Sequence, residues 1–126
     1  MVKNLLWIGL GGFCGAIARW ACAGWIQRLS DSAFPWGTAV VNGVGCLVIG
    51  MVAGWAEGRQ VLSPESRAFL VVGVLGSFTT FSTFGLETWE LARGGGISAA
   101  AGNVGLQVTV GLAAVIAGAQ IGRWLA

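Results

Sequence analysis

The sequence predicts an all-α membrane protein of four transmembrane helices, on three observations. Charged side chains make up 10% of the 126 residues, against roughly 25% in an average soluble protein. Hydrophobic residues reach 56% and glycine fills 22 positions, more apolar surface than a water-soluble domain of this length can hide. The few charges are spaced so that long uncharged runs remain, and a backbone without water must satisfy its polar groups inside helices. The same figures exclude disorder, a collagen-like repeat with only 2 prolines, and a basic nucleic-acid binder with net charge +2.

The first span is read at 4–27, where Arg19 is the single interrupting charge. Lys3 before an apolar stretch and Ala16-Ile17-Ala18 also outline a cleavable secretory signal, but apolar residues resume at once from Trp20 to Ile26. The second span, 36–56, lies in the uncharged run 32–56 and follows Ser30, Asp31 and Pro35. The third, 67–92, contains the uncharged run 68–86. Ser63 before Pro64 predicts an N-cap with proline at the first helical position, and glycines 94, 95 and 96 close this helix. The fourth span is 97–124. Each suffices for a roughly 30 Å hydrocarbon layer, which about 20 helical residues cross. No segment is left for a separate soluble domain, so 1–126 reads as one transmembrane domain.

Cys14, Cys22 and Cys46 are an odd number within apolar runs and read as small packing residues, with no histidine available for a metal site or dyad. Trp36, Trp89 and Trp124 lie near span ends and fit an interfacial belt, while Trp7 and Trp20 pack against lipid or protein. With the termini on one side, Lys3, Arg59, Arg67 and Arg123 face Arg28, Arg93 and, depending on depth, Arg19. Such a small basic excess fixes orientation weakly. It predicts a chain that inserts both ways round, giving a dual-topology, antiparallel homodimer. The pairs Gly11/Gly15, Gly50/Gly54 and Gly118/Gly122 would let backbones approach closely and point the same way, to oligomerisation.

The third span carries five hydroxyls in seven positions, Ser77, Thr79, Thr80, Ser82 and Thr83. One or two could return their hydrogen bonds to the preceding turn. Five after Gly76, interleaved with phenylalanines, predict a break in the third helix whose freed backbone groups face a cavity or an ion. If the part after the break is helical, Phe81 and Phe84 share one face and Thr80, Thr83 and Glu87 a neighbouring one. Ring edges are positive and can meet a small anion to which hydroxyls donate; the alternative is that the rings are core filler. Thr38 and Asn42 lie one turn apart on the second span, and Asn42 either lines a pore or glues helices together. Asn103 and Gln107 form a second amide stripe on the fourth span, with Thr109 a weaker member. Arg19 either snorkels to the headgroups, draws anions inward, or pins the break through its carbonyls. Glu87 is either a vestibule residue or a solvated charge.

Gly37-Thr38-Ala39-Val40-Val41-Asn42-Gly43, together with Gly76-Ser77-Phe78-Thr79-Thr80-Phe81-Ser82-Thr83-Phe84 and Gly15-Ala16-Ile17-Ala18-Arg19-Trp20, resembles the Fluc (CrcB-type) fluoride channel family along the whole chain. The resemblance implies a small antiparallel homodimer with two pores, in the bacterial inner membrane, that exports cytoplasmic fluoride passively. It further implies that Phe81 and Phe84 line the pores through ring edges, Asn42 donates an amide hydrogen, Ser82 and Thr83 offer hydroxyls, and Glu87 lies near a pore mouth. Thr38 and Gln107 join this polar track. The broken third helices of that family meet at the dimer centre and hold a structural sodium ion through backbone carbonyls, here those of Gly76 and Thr79. Two departures stand out: Ser77 where a second glycine is expected, and Gln107 where a smaller or different polar group is usual.

Neutral donors suit a pore, because they replace an anion's water without binding it too firmly for release. A proton-coupled small multidrug exporter also has four spans and dual orientation, but needs a membrane carboxylate that the first span lacks. A non-transporting accessory subunit is the other rival. Enzyme chemistry is disfavoured, with no histidine, no metal-ligand cluster and no nucleophile–base pair.

Overall fold

The computed structural model describes residues 2–57 and 62–126, so Arg59 lies outside the described residues. Helix α1 spans Val2–Ser30, α2 Trp36–Trp55, α4 Phe81–Arg93 and α5 Ile97–Trp124. The segment α3, residues 64–78, is composite: an α-helical turn Pro64–Arg67, a π-helical stretch Ala68–Leu75 and a last turn Gly76–Phe78. Among the described residues four helices are long and apolar enough to cross a membrane: α1, α2, the α3–α4 span Pro64–Arg93, and α5.

The connections follow from local chemistry. Asp31 leaves α1 with φ 43°, a left-handed conformation that a short polar side chain tolerates. Gln27 then clamps the turn, its amide donating to the Ser32 carbonyl (2.7 Å) and the Phe34 carbonyl (3.1 Å) while its oxygen accepts from the Gly37 N–H (3.1 Å). Ser63 accepts from the Ser66 N–H at 3.1 Å with Pro64 in the first turn, as the spacing predicts. Gly95, at φ 85°, turns the chain out of α4.

Two parallel pairs build the bundle. Gly11 and Gly15 lie on α3, where a methyl on Gly11 would run into the Phe69 carbonyl and one on Gly15 into the Val74 carbonyl. Gly50 and Gly54 meet the Val115 and Ala119 carbonyls of α5 in the same way, and Gly118 and Gly122 meet those of Leu47 and Met51. Residue numbers rise together in both contacts, so α1 runs parallel to α3, and α2 to α5. The small-residue pairs expected to join copies are therefore buried inside the chain. The physical reason is that alternate spans of an up-and-down chain run the same way, and glycine lets two such backbones touch. Arg123 of α5 meets Glu57 beyond α2 at 2.8 Å, both largely exposed, in keeping with this register.

Little side-chain volume is buried within one chain: Val41 (1% exposed) and Asn103 (0%) are the largest fully enclosed residues. Leu5, Phe13, Trp20, Leu112 and Ile116 are exposed, as lipid requires.

Candidate functional site

The helix ends at Phe78, with the Thr79 N–H still bonded to the Leu75 carbonyl at 3.1 Å, and the next helix begins at Phe81. Between them Thr79 (φ −85°, ψ 159°) and Thr80 (φ −153°, ψ 115°) are extended. Thr80 is buried, 8% exposed, so its peptide groups need partners that water cannot supply. Asn42 provides both: its Oδ1 accepts the Thr80 N–H at 2.9 Å, and its Nδ2 donates to the Thr80 carbonyl at 3.1 Å. The Thr80 N–H, which an unbroken helix would aim at the Gly76 carbonyl, is thus diverted to a side chain. Thr80 also caps α4, its hydroxyl accepting the Thr83 N–H (3.2 Å) and donating to the Thr83 hydroxyl (2.9 Å).

From Asn42 a directed chain of hydrogen bonds crosses to α5 and back to α4. Asn42 Nδ2 donates to Gln107 Oε1 (2.8 Å), Gln107 Nε2 to Asn103 Oδ1 (2.9 Å), and Asn103 Nδ2 to the Thr88 hydroxyl (2.8 Å). Thr88 in turn donates to the Phe84 carbonyl at 2.7 Å. The two amide stripes seen in the sequence are one network. It engages the Asn42 amide with two acceptors inside the chain, so the hydrogen expected to face a free anion is already paired. Asn103 glues helices, and Thr88 is a member that the sequence reading missed, since one threonine near a span end carries no distinguishing spacing. Thr109 is exposed and outside the network, because residues two apart on a helix do not share a face.

Two cavities flank Thr80, which lines both. The first, ≈ 400 Å³, gathers Asn42, Gly76, Thr79, Phe81, Phe84 and Gln107. Phe81 and Phe84 lie beside one another, centroids 5.5 Å apart and planes inclined at 50°, and Phe81 is 83% exposed. The second, ≈ 840 Å³, has Arg19, Thr38, Thr83, Glu87 and Glu90 in its wall. Thr38 donates to Glu87 Oε1 at 2.7 Å, and Glu87 Oε2 is enclosed without a partner. The aromatic and hydroxylic faces expected of α4 thus open on different cavities. Ser82 lines neither; it is exposed, with its hydroxyl 3.4 Å from that of Thr80. Ser77 lies against α1, where a methyl on Gly12 would come within 3.3 Å of its Oγ. Among the described residues no group of three or more acidic, cysteine or histidine side chains is placed to hold a metal.

Four apolar spans that carry a connected row of uncharged amides and hydroxyls, bordered by two phenyl rings, define a multi-pass membrane protein. Its family follows from comparison with known proteins. The sequence profile of the family described as CrcB-like protein, Camphor Resistance (CrcB), matches residues 6–119, and the chain belongs to that family. Similar proteins include the fluoride-specific ion channel FluC of Nitrosococcus oceani, 40% identical with 98% of each chain covered. The protein of the same name from Solidesulfovibrio magneticus is 42% identical, again with 98% of each chain covered. That of a Sulfurovum species is 42% identical over 93% of this chain and 91% of its own.

Proposed function

We propose that residues 1–126 form a fluoride channel that lowers cytoplasmic fluoride by passive export across the bacterial inner membrane. Family membership and the name carried by the relatives support this reading. The observation that carries it is chemical: in the largely apolar cavity beside Phe81 and Phe84 the polar side chains are all neutral, Asn42, Thr79, Thr80 and Gln107, with no fixed cation. Fluoride gives up strong hydration only where donors stand ready, and neutral donors let it leave again.

In the proposed path fluoride meets the Phe81 and Phe84 ring edges and replaces Gln107 Oε1 as the acceptor of an Asn42 hydrogen. Thr38, Ser82 and Thr83 offer hydroxyls on the side of the second cavity, Arg19 raises the local anion concentration, and Glu87 marks a pore mouth. The working form is an antiparallel, dual-topology homodimer. Supporting it are the exposure of Phe81, which leaves one wall of the site to a second copy, and the small excess of Lys3, Arg59, Arg67 and Arg123 over Arg28, Arg93 and, depending on depth, Arg19.

The extended step at Thr79 and Thr80 serves as the break in the third span. A structural sodium ion at the centre of the dimer would be held by the Gly76 and Thr79 carbonyls. The fit rests on Gly76, whose carbonyl loses its helical donor when Asn42 takes the Thr80 N–H, and on oxygen ligands suited to a hard cation. Sodium would supply a fixed charge that holds two such steps together.

Fluoride efflux from liposomes holding the purified chain tests the function. Release that follows the fluoride gradient and needs no proton gradient is expected. Liposomes that retain fluoride yet exchange protons for cationic drugs would replace this reading with that of an exporter.

A further inference from the structure

We propose that Thr88, backed by Asn103, is a positioning residue that fixes the roll of α4 and hence where Phe84 stands in the channel. The inference rests on the fluoride-channel reading and assigns it a residue outside the permeation path.

Helix α4 has no buried residue. Apolar packing within the chain therefore does little to set its rotation about its own axis, and polar ties must do so. Among the described residues three tie it: the Thr80 cap at its start, the Thr38–Glu87 bond, and the bond from Asn103 to Thr88. A threonine hydroxyl returned to the carbonyl four residues back is common and by itself only bends a helix slightly. Here the same hydroxyl also accepts from Asn103, which is 0% exposed. The Phe84 carbonyl is thereby tethered through Thr88 to a fully enclosed group on α5. Asn103 has no water to fall back on, so the tie is costly to break. Helix side chains reach about 5–6 Å from the axis, so a roll of roughly 10° would carry the Phe84 ring about 1 Å along the cavity wall.

The test compares Thr88→Val, which keeps the volume and removes the hydroxyl, with Thr88→Ser, which keeps the hydroxyl. Thr88→Val should lower fluoride flux by about tenfold or more, the scale of one orphaned buried partner, while Thr88→Ser conducts like the wild type. The carbonyl ¹³C resonance of Phe84 should move in the valine variant and stay in place in the serine variant. If Thr88→Val folds poorly, Thr88→Ala takes its place, lacking the hydroxyl but leaving room for a water to pair the Asn103 amide, with Gln107 still bonded to Asn103. It should recover the yield of folded protein while flux stays low. Wild-type flux in Thr88→Val, or equal loss in the serine and valine variants, overturns the proposal and leaves the channel reading standing. Wild-type liposomes that hold their fluoride overturn both.

Discussion

Replacing Asn42 with leucine preserves volume and deletes the side chain that pairs with the extended step. Three bonds go at once: Thr80 N–H to Oδ1 at 2.9 Å, Nδ2 to the Thr80 carbonyl at 3.1 Å, and Nδ2 to Gln107 at 2.8 Å. Polar side-chain bonds in membrane proteins average about 0.6 kcal/mol and reach about 1.7, so the three together contribute about 2–5 kcal/mol. The upper half of that range is expected, because Thr80 is 8% exposed and its peptide groups would be stranded. The assay is thermal unfolding in detergent followed by tryptophan fluorescence, with exchange of the Thr80 amide hydrogen read in parallel. Asn42→Leu should melt earlier and exchange faster at Thr80. Asn42→Leu/Gln107→Leu should lose less than the two single changes together, since the acceptor stranded on Gln107 is gone. A leucine variant that unfolds within about 0.5 kcal/mol of the parent, with Thr80 still protected, would refute the claim that Asn42 holds this step.

Phe81→Ile should cut fluoride flux at least about tenfold, the effect of losing one specific contact of about 1.4 kcal/mol, while chain stability is unchanged because that ring is 83% exposed; liposome efflux and a melting curve check the two halves, and Phe84→Ile should likewise lose flux. Gly50→Ala should destabilise by about 1–3 kcal/mol through overpacking, as the new methyl meets the Val115 carbonyl, whereas Gly9→Ala, with open space around it, should be neutral or mildly stabilising in the same melt. A methyl on Gly45 would collide with the Thr79 Cγ2. Gly45→Ala should therefore lower flux, and adding Thr79→Ser, which removes that carbon, should restore at least half of it in the efflux assay.

The spans were legible because charge is so rare that its gaps outline the helices, and Ser63-Pro64 marked a start by capping chemistry alone. The glycine pairs were legible as close contacts but not as contacts between particular helices. Spacing along one helix says that a backbone can approach, and only topology says whose. The π-helical stretch left no trace, since Ala68–Leu75 is apolar throughout and offers no polar residue to reveal its period. Within the site, the residue types and their shared faces were readable from four-residue spacings such as Thr38/Asn42 and Asn103/Gln107. Their connection was not. That Asn42 pairs with the peptide groups of Thr80, 38 positions along the chain, depends on a long-range encounter that no local pattern encodes. Thr80 itself was read as one hydroxyl among five, although its backbone and side chain both carry contacts.

Because Thr80 stands in the wall of both cavities, it is a partition shared by two rooms. A substituent added there intrudes on one side or the other, and a shift of its backbone enlarges one compartment at the expense of its neighbour. The aromatic chamber and the charged one therefore cannot be resized independently through this position. Independent adjustment has to come from residues such as Val108 or Ala23, each of which borders a single chamber.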